Sequence, residues 1–556
     1  MKSVFSLPCS FTRLIGIARN VLICGLAVAA ARGSEKLPVI ESVTIGANRE
    51  FLVNGKPFLP IFGWMQKPAT LPRLKEIGFN TIGGYWRASD GTGDLKTADK
   101  FAGSAWSSGL YFIAPFEAHY PAEMAALKAS PNLLAWFQGD EPDLIKKRSD
   151  AVITSSKLKL NSRRPLMFLA DGDPKTSAVL SPLAGSEVTI RYPQPVTVAK
   201  FTLANGPDGK KAGEVAVWVG GKEVARAALP DSKEPQTVAL EVPLTLQELT
   251  LKFLAEHPQD PGTDPINWGT FIDVCGLDAS GKNVLACPVT KGPQLQPEAV
   301  QANYAALKKF DTTRPAMLTF ASFFLEDFYD KAWYTRAQAD ELYPRYVGSA
   351  DIYGIDIYPI FGWNQPENIH WVDKSNRQLR KLVGAKTPTF QWIETAPGPF
   401  AEKAKPVTGV EIRNQVYQAL ASGCTAIGYF THIIKPKLIP FGTPPENQEA
   451  IKLINAEITA LAPDLLAGEA ATQPALAIAG GLRSLCHATQ RGDTLTVVAI
   501  NMDGQGLGGE GTLTLPGLKP GTEITVVGEN RTVKSGDGKW SDTFAPLAVH
   551  VYQLKL

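Results

Sequence analysis

Four apolar runs alternating with helical stretches, then a long block without helices, then four more such runs: this order constrains the fold more than any other feature of the chain. The runs PFLPIFGWM, FNTIGGYW, LYFIAPF and LLAWFQGDEP fill the chain to residue 142, and LPRLKEIG at 71–78 reads as a helix joining the first two. After the block come AMLTFASFF, ADIYGIDIYPI, TPTFQWIETA and CTAIGYFTH, with the helical stretches NRQLRKLVG and EIRNQVYQALASG between them. β-prone runs alternating with helices form a parallel sheet wrapped by helices. Eight such units close a (β/α)8 TIM barrel, so the class is α/β.

The interrupting block, 149–293, contains EVTIRYPQPVTVAKFTLA, EVAVWVGGKEVARAAL, QTVALEVP and ELTLKFLAEH, with PLMFLADGDP ahead of them. Gly, Pro and Asp turns separate these runs, which predicts a β-sandwich inserted after strand four. The barrel halves are then 40–148 and 294–468, with REFLVNGKPF an N-terminal hairpin over the barrel floor. ALAIAGG, TLTVVAINM, GTLTLPG, EITVVGE and LAVHVYQLKL make 469–556 a second all-β domain.

The first 31 residues read as a secretory signal: Lys2, Arg13 and Arg19, then an apolar run from Val21 ending in Ala29-Ala30-Ala31. Cys24 raises lipidation as an alternative, although Ile23 before it is bulkier than such sites prefer. The full chain has 56 Lys plus Arg against 54 Asp plus Glu, and cleavage after Ala31 leaves 53 against 54. That balance gives no attraction to nucleic acid, and no later run is long enough to enter a membrane. The expectation is a secreted or periplasmic protein with no membrane insertion once the signal is cleaved.

Catalytic residues of TIM barrels lie at the C-terminal ends of the strands. There the chain places Glu141, in WFQGDEP, and Glu394, in FQWIETA, each closing an aromatic and apolar run. Two carboxyl groups across a barrel mouth are the equipment for glycoside hydrolysis. Asp356 and Tyr358 end strand six. Trp64, Tyr85, Trp86, Trp363 and Tyr429 fall at or just after strand ends, where aromatic rings can carry the apolar face of a sugar. Glu117 and His119 after strand three, and His432 after strand eight, are further candidates for sugar hydroxyls.

FLVNGKPFLPIFGW followed by LPRLKEIGFNTI, the DTTRP turn and the two strand-end glutamates resemble the clan A superfamily of retaining TIM-barrel glycoside hydrolases. The resemblance covers roughly 45–435 without the insert, and it implies Glu141 as acid/base and Glu394 as nucleophile. It departs at Asp140, where that superfamily usually has Asn against the sugar 2-hydroxyl. A carboxylate there accepts the same hydrogen bond but pushes the Glu141 pKa upward.

The insert resembles discoidin-like modules, LADGDPKTSAVL matching their early loop and VTIRYPQPVTVAKFTL the following strands. That resemblance implies Asp171, Asp173 and Thr176 as oxygen ligands of a structural calcium, with an ion-free Asp-Gly turn as the equal alternative. Cys275 and Cys287 flank a hairpin, either as a disulfide or as two buried thiols.

Together these readings predict a retaining glycoside hydrolase that needs no cofactor for catalysis and acts on an oligo- or polysaccharide. The alternatives are a non-catalytic carbohydrate-binding protein on the same scaffold and a metal-assisted hydrolase.

Overall fold

Strands β1 (Ile61–Trp64), β2 (Thr81–Gly83), β3 (Tyr111–Pro115), β4 (Leu133–Asp140), β5 (Ala316–Phe320), β6 (Ile352–Asp356), β7 (Thr389–Glu394) and β8 (Ala426–Phe430) pair side by side in parallel, and β8 returns to β1. The result is a closed eight-stranded barrel. The computed structural model describes residues 37–84, 97–155, 158, 161, 163–259, 266–331, 333–396, 405–434 and 438–556. Ile40–Leu556 forms one compact unit; the leader expected at 1–31 lies outside the described residues.

Barrel strands are packed on both faces, by the barrel interior and by the outer helices, which is why they read as unbroken apolar runs. All six residues of β7 and all four of β1 are buried. The outer helices carry their own start signals. Pro121, Pro297 and Pro445 open theirs, where a missing N–H costs nothing. Thr335 with Gln338, and Thr408 with Glu411, form reciprocal capping boxes. The helix Trp371–Val383 buries Trp371, Val372, Ser375, Asn376, Leu379 and Val383, one stripe at helical spacing.

Under the barrel, Val43–Ile45, Phe51–Val53 and Lys56–Phe58 form a three-stranded sheet. Arg314, just before β5, ties the segment leading into it to the N-terminal end of the strands: its guanidinium donates to Leu133 O at 2.6 Å, Ile40 O at 2.7 Å and Glu41 O at 2.9 Å. A buried cation is tolerable there because its donors are satisfied by carbonyls.

The insert leaves and re-enters the barrel through a two-stranded antiparallel neck, Ile145–Arg148 against Thr290–Pro293, in which Arg148 faces Thr290 and Ile145 faces Pro293. Its described strands join one seven-stranded antiparallel sheet. Its longest strands form a continuous ladder. The strands Glu187–Gly209 and Gln236–Glu256 run on through register shifts at Arg191/Val196 and Val198/Lys200, and such bulges let a strand bend without ending. Phe201, Leu203, Val215, Leu251, Phe253, Phe271 and Val274 belong to its apolar cluster. PLMFLADGDP, read above as β-prone, is instead a 3-10 turn over Leu166–Leu169 that buries Leu166, Phe168 and Leu169. Cys275 and Cys287 are both free thiols.

From Gly468 the chain forms a six-stranded and a three-stranded sheet around Val497, Leu513, Trp540, Phe544 and Tyr552. This unit docks on the barrel helix Gly409–Ala421, where Asn414 Nδ2 donates to Asn501 O and Leu547 O, each at 2.9 Å. No described helix is long and apolar enough to cross a membrane.

Candidate active site

β4 delivers the first carboxyl groups to the barrel mouth, and it does so through an irregular backbone. In its pairing with β5, Phe137 faces Met317 and Gly139 faces Leu318, so Gln138 is an extra residue that resets the alternation. Gly139 leaves room for Leu318 at that point, since a Cβ there would lie 2.7 Å from Leu318 Cδ1 and push that side chain aside. Two residues on, Glu141 adopts φ +47°, the left-handed region that a side chain enters at a cost of about 1 kcal/mol or more. Its N–H is held by Thr319 O at 3.0 Å, and its carbonyl accepts from Leu144 N at 2.9 Å.

Asp356 at the end of β6 hydrogen bonds, carboxyl to carboxyl, with Glu141. Burial lifts the pKa of both groups, and the Glu141 and Asp140 charges lift Asp356 further, well above the usual range. Asp140 is pushed up to about 7 by loss of hydration and by the Glu141 charge. Its side chain is exposed and lines both cavities described below, so solvent in the mouth offsets part of that rise.

Tyr358 sits among the carboxyls. Burial raises its hydroxyl pKa most, and the charges of Asp356, Glu141, Asp140 and Glu394 add to that rise. Its ring stacks on Phe361 at 5.3 Å and packs on Phe430 at 5.2 Å.

Glu394 has a different neighbourhood from the one expected of a nucleophile. It is 0% exposed, and its two oxygens accept from Ile360 N at 3.0 Å and Phe361 N at 2.8 Å, with Gly362 N–H contributing as well. Burial pushes its pKa up to about 8 despite these donors. It lines neither cavity; it anchors the loop that follows β6.

A cavity of about 770 Å³ opens over the Glu141–Asp356 pair, walled by Trp64, Trp333, Tyr358, Trp363, Trp392 and Phe430. Aromatic contacts stiffen the wall: Phe323 stacks on Trp333 at 3.9 Å, Trp363 packs on Phe328 at 4.5 Å, and Trp392 Nε1 donates to Thr319 Oγ1 at 2.8 Å. A neighbouring cavity of about 610 Å³ shares Trp64 and Asp140 and is completed by Glu117, His119, Phe137, Gln138, Leu295 and Asn303.

Of the remaining candidates, Tyr429 points away from the mouth, its hydroxyl donating to Asn455 Oδ1 at 2.9 Å inside the core. Strand alternation explains the exchange, since the next residue, Phe430, faces the cavity. His432 is buried, with its pKa lowered by desolvation to about 4, and lines neither cavity; its Nε2 meets Met65 O at 3.3 Å. Tyr85 and Trp86 lie outside the described residues. In the insert, Asp171 Oδ1 accepts from Asp173 N at 3.0 Å and Oδ2 from the Thr176 hydroxyl at 2.7 Å. The loop thus closes on itself. Among the described residues, no group of three or more His, Cys, Asp or Glu is arranged to hold a metal.

Two contributors have no signal in the strand pattern. Trp333 comes from the long connection after β5, which shows no periodicity toward the mouth. Asp143, fully buried, accepts from Ala321 N and the Tyr343 hydroxyl, both at 2.9 Å, and so pins the end of β5 to the loop carrying Glu141. Its pKa is pushed up to about 7, mainly by burial.

The fold and site define a closed parallel barrel with a carboxyl cluster and an aromatic-walled cavity at the C-terminal strand ends. No protein-family model and no curated protein matches the sequence. Partly similar solved structures include an α-amylase from Geobacillus thermoleovorans complexed with acarbose, at 10% identity and TM-score 0.40, covering 90% of this chain and 98% of that one. They also include a family 32 carbohydrate-binding module from Clostridium perfringens in complex with galactose, at 10% identity and TM-score 0.19, covering 23% of this chain and 96% of that one. A second such module, from a family 31 glycoside hydrolase of Clostridium perfringens, is 14% identical with TM-score 0.18, covering 24% and 94%. At these values the likenesses assign the chain to no family.

Proposed function

We propose that the protein is an exported glycoside hydrolase with Glu141 as its acid/base. The observation that carries this reading is the Glu141–Asp356 contact inside an aromatic-walled cavity. Glycoside cleavage needs a carboxyl group that is protonated when it meets the leaving oxygen, and burial shifts Glu141 toward that state. The aromatic walls suit the apolar faces of pyranose rings, and the carboxylates suit their hydroxyls.

Retention requires the two working carboxyls to stand about 5 to 5.5 Å apart, and inversion about 6.5 to 9.5 Å. A bound glycan therefore has to part Glu141 from Asp356, leaving the proton on the group that faces the leaving oxygen. A double displacement through Glu394 further needs the loop Tyr358–Gly362 to release it from Ile360 and Phe361. The deciding experiment is a screen of aryl glycosides and polysaccharides with the parent and Glu141→Gln, with NMR of the first-formed anomer. Glu141→Gln should lower kcat by about 10²- to 10⁴-fold. Undiminished turnover in that variant refutes the assignment.

The sequestration of Glu394 favours one second reading, a carbohydrate-binding protein without turnover. In that case the parent binds glycans and releases no product. Export is proposed from the leader-like 1–31 alone, and N-terminal sequencing of the mature protein tests cleavage after Ala31.

A further inference from the structure

A groove of about 400 Å³ runs along the seam between the barrel and the C-terminal domain, away from the mouth. Asp373, Lys374, Arg377 and Lys381 line it from one face of the helix Trp371–Val383, and Arg483 and Met502 line it from the C-terminal domain. None of its lining residues belongs to either cavity at the barrel mouth.

Both walls are fixed. Gln378 accepts from Glu326 N at 3.0 Å and donates to Phe324 O at 2.7 Å, and Asp373 N donates to Gln418 Oε1 at 3.0 Å. Across the seam, Met502 N donates to Arg483 O at 2.8 Å. The walls meet just ahead of the helix, where a Cβ on Gly504 would lie 2.4 Å from Pro366 O. Glycine lets the two backbones approach this closely, which sets the groove's width.

The charges in the groove do not cancel. Lys374, Arg377, Lys381 and Arg483 line it against two acids, Glu326 and Asp373. Lys374 is engaged by Glu326 at 3.1 Å and by Asp327 at 2.6 Å, and Arg377 Nε donates to Asp373 at 2.7 Å. Lys381 and Arg483 form no ion pair with any described residue. Burial, and after it the Arg483 charge, hold His370 below its ordinary pKa, so the field of that cation reaches across to the helix side.

We propose that this groove is a binding site for a doubly charged oxyanion, a sulfate or phosphate group, held between Lys381 on the barrel and Arg483 on the C-terminal domain. Two unmatched cations suit two negative charges, and the guanidinium fork suits an oxyanion's geometry. A carboxylate brings only one charge. The volume lies within the roughly 300–1,000 Å³ typical of small-ligand pockets, which leaves room for a molecule carrying the group. The site needs neither Glu141 nor Asp356, so it stands apart from the glycosidase reading. A ligand held from both walls joins the two domains and stabilises the native chain by mass action.

The test is calorimetry on the full chain at low salt, with sodium sulfate, sodium phosphate, glucose 6-sulfate and glucose 6-phosphate as probes and glucose and glucuronate as controls. At least one dianion should bind with a Kd of about 1 mM or tighter, and the double variant Lys381→Ala/Arg483→Ala should weaken it by about tenfold or more. Both side chains are exposed, so the double variant should keep the parent's ligand-free Tm. The dianion that binds should raise Tm in the parent and not in the double variant. Equal affinity for ester and free ion identifies the free oxyanion as the ligand, and tighter binding of an ester identifies the esterified group; either supports the site. The proposal is overturned by no dianion binding at about 10 mM, by glucose or glucuronate binding as tightly as the dianions, or by an affinity unchanged in the double variant.

Discussion

Asp356 and Glu141 touch carboxyl to carboxyl in the barrel mouth, and two such groups at hydrogen-bond distance hold a proton between them because both cannot be ionised there without strong repulsion. The proton belongs to the pair, so the pair titrates in two macroscopic steps.

Replacing Asp356 by Asn should collapse those two steps into one. The amide still donates to Glu141 but carries no titratable proton, so the alkaline limb of the pH–rate profile should move to lower pH by about one unit. A kcat/KM profile across pH 4 to 9 reads this directly, and an unmoved limb would mean that the contact does not govern protonation.

Glu394→Ala should destabilise the protein whether or not Glu394 reacts. The N–H groups of Ile360, Phe361 and Gly362 lose their buried acceptor, at a cost of about 3 kcal/mol or more. Thermal unfolding measures the loss. Adding formate or azide to the variant separates the roles: restored turnover assigns the nucleophile to Glu394, and none, with a lowered Tm, assigns it to holding the loop.

Stability should fall as pH rises from about 4 to 8. Asp143 and Asp273 are pushed up to about 7 and Glu394 to about 8, chiefly by burial, whereas the same carboxyls titrate near 4 when unfolded. Between those limits the native state binds more protons than the unfolded one, so each of these groups stabilises at low pH and loses that contribution as pH passes its folded value. Melting temperatures across this range check the slope. Glu394→Gln and Asp143→Asn should each flatten it.

Excising 149–289 and joining Arg148 to Thr290 through Asn-Gly should leave a folded barrel. Arg148 and Thr290 already face each other across the neck, which is the spacing a two-residue hairpin turn closes. A single cooperative unfolding transition with retained helical circular dichroism is the expected result, and an insoluble or molten product would mean that the insert supports the barrel.

The barrel was legible because its strands are packed on both faces and several of its helices open with Pro or a capping box, so period and punctuation agree along much of the chain. Glu141 was legible for the same reason, as an acid ending an apolar run. The neighbourhood of Glu394 was not: it depends on three backbone N–H groups of a loop more than thirty residues earlier, and no side-chain pattern records backbone donors. Tyr429 was misplaced by one residue of alternation, and Trp333 entered from an aperiodic connection. Asp140, the odd residue in the strand-four motif, turned out to border both cavities.

The neck has a bearing on how the chain reaches its native state. β4 pairs directly with β5, so Trp136 meets Ala316 only after the whole insert has been synthesised. For a disordered segment of that length, closure would carry an entropic cost that grows with the logarithm of its length. An insert that folds first, with its two ends already zipped together at Arg148 and Thr290, behaves as a short tether. For such an insert, barrel closure becomes a local event.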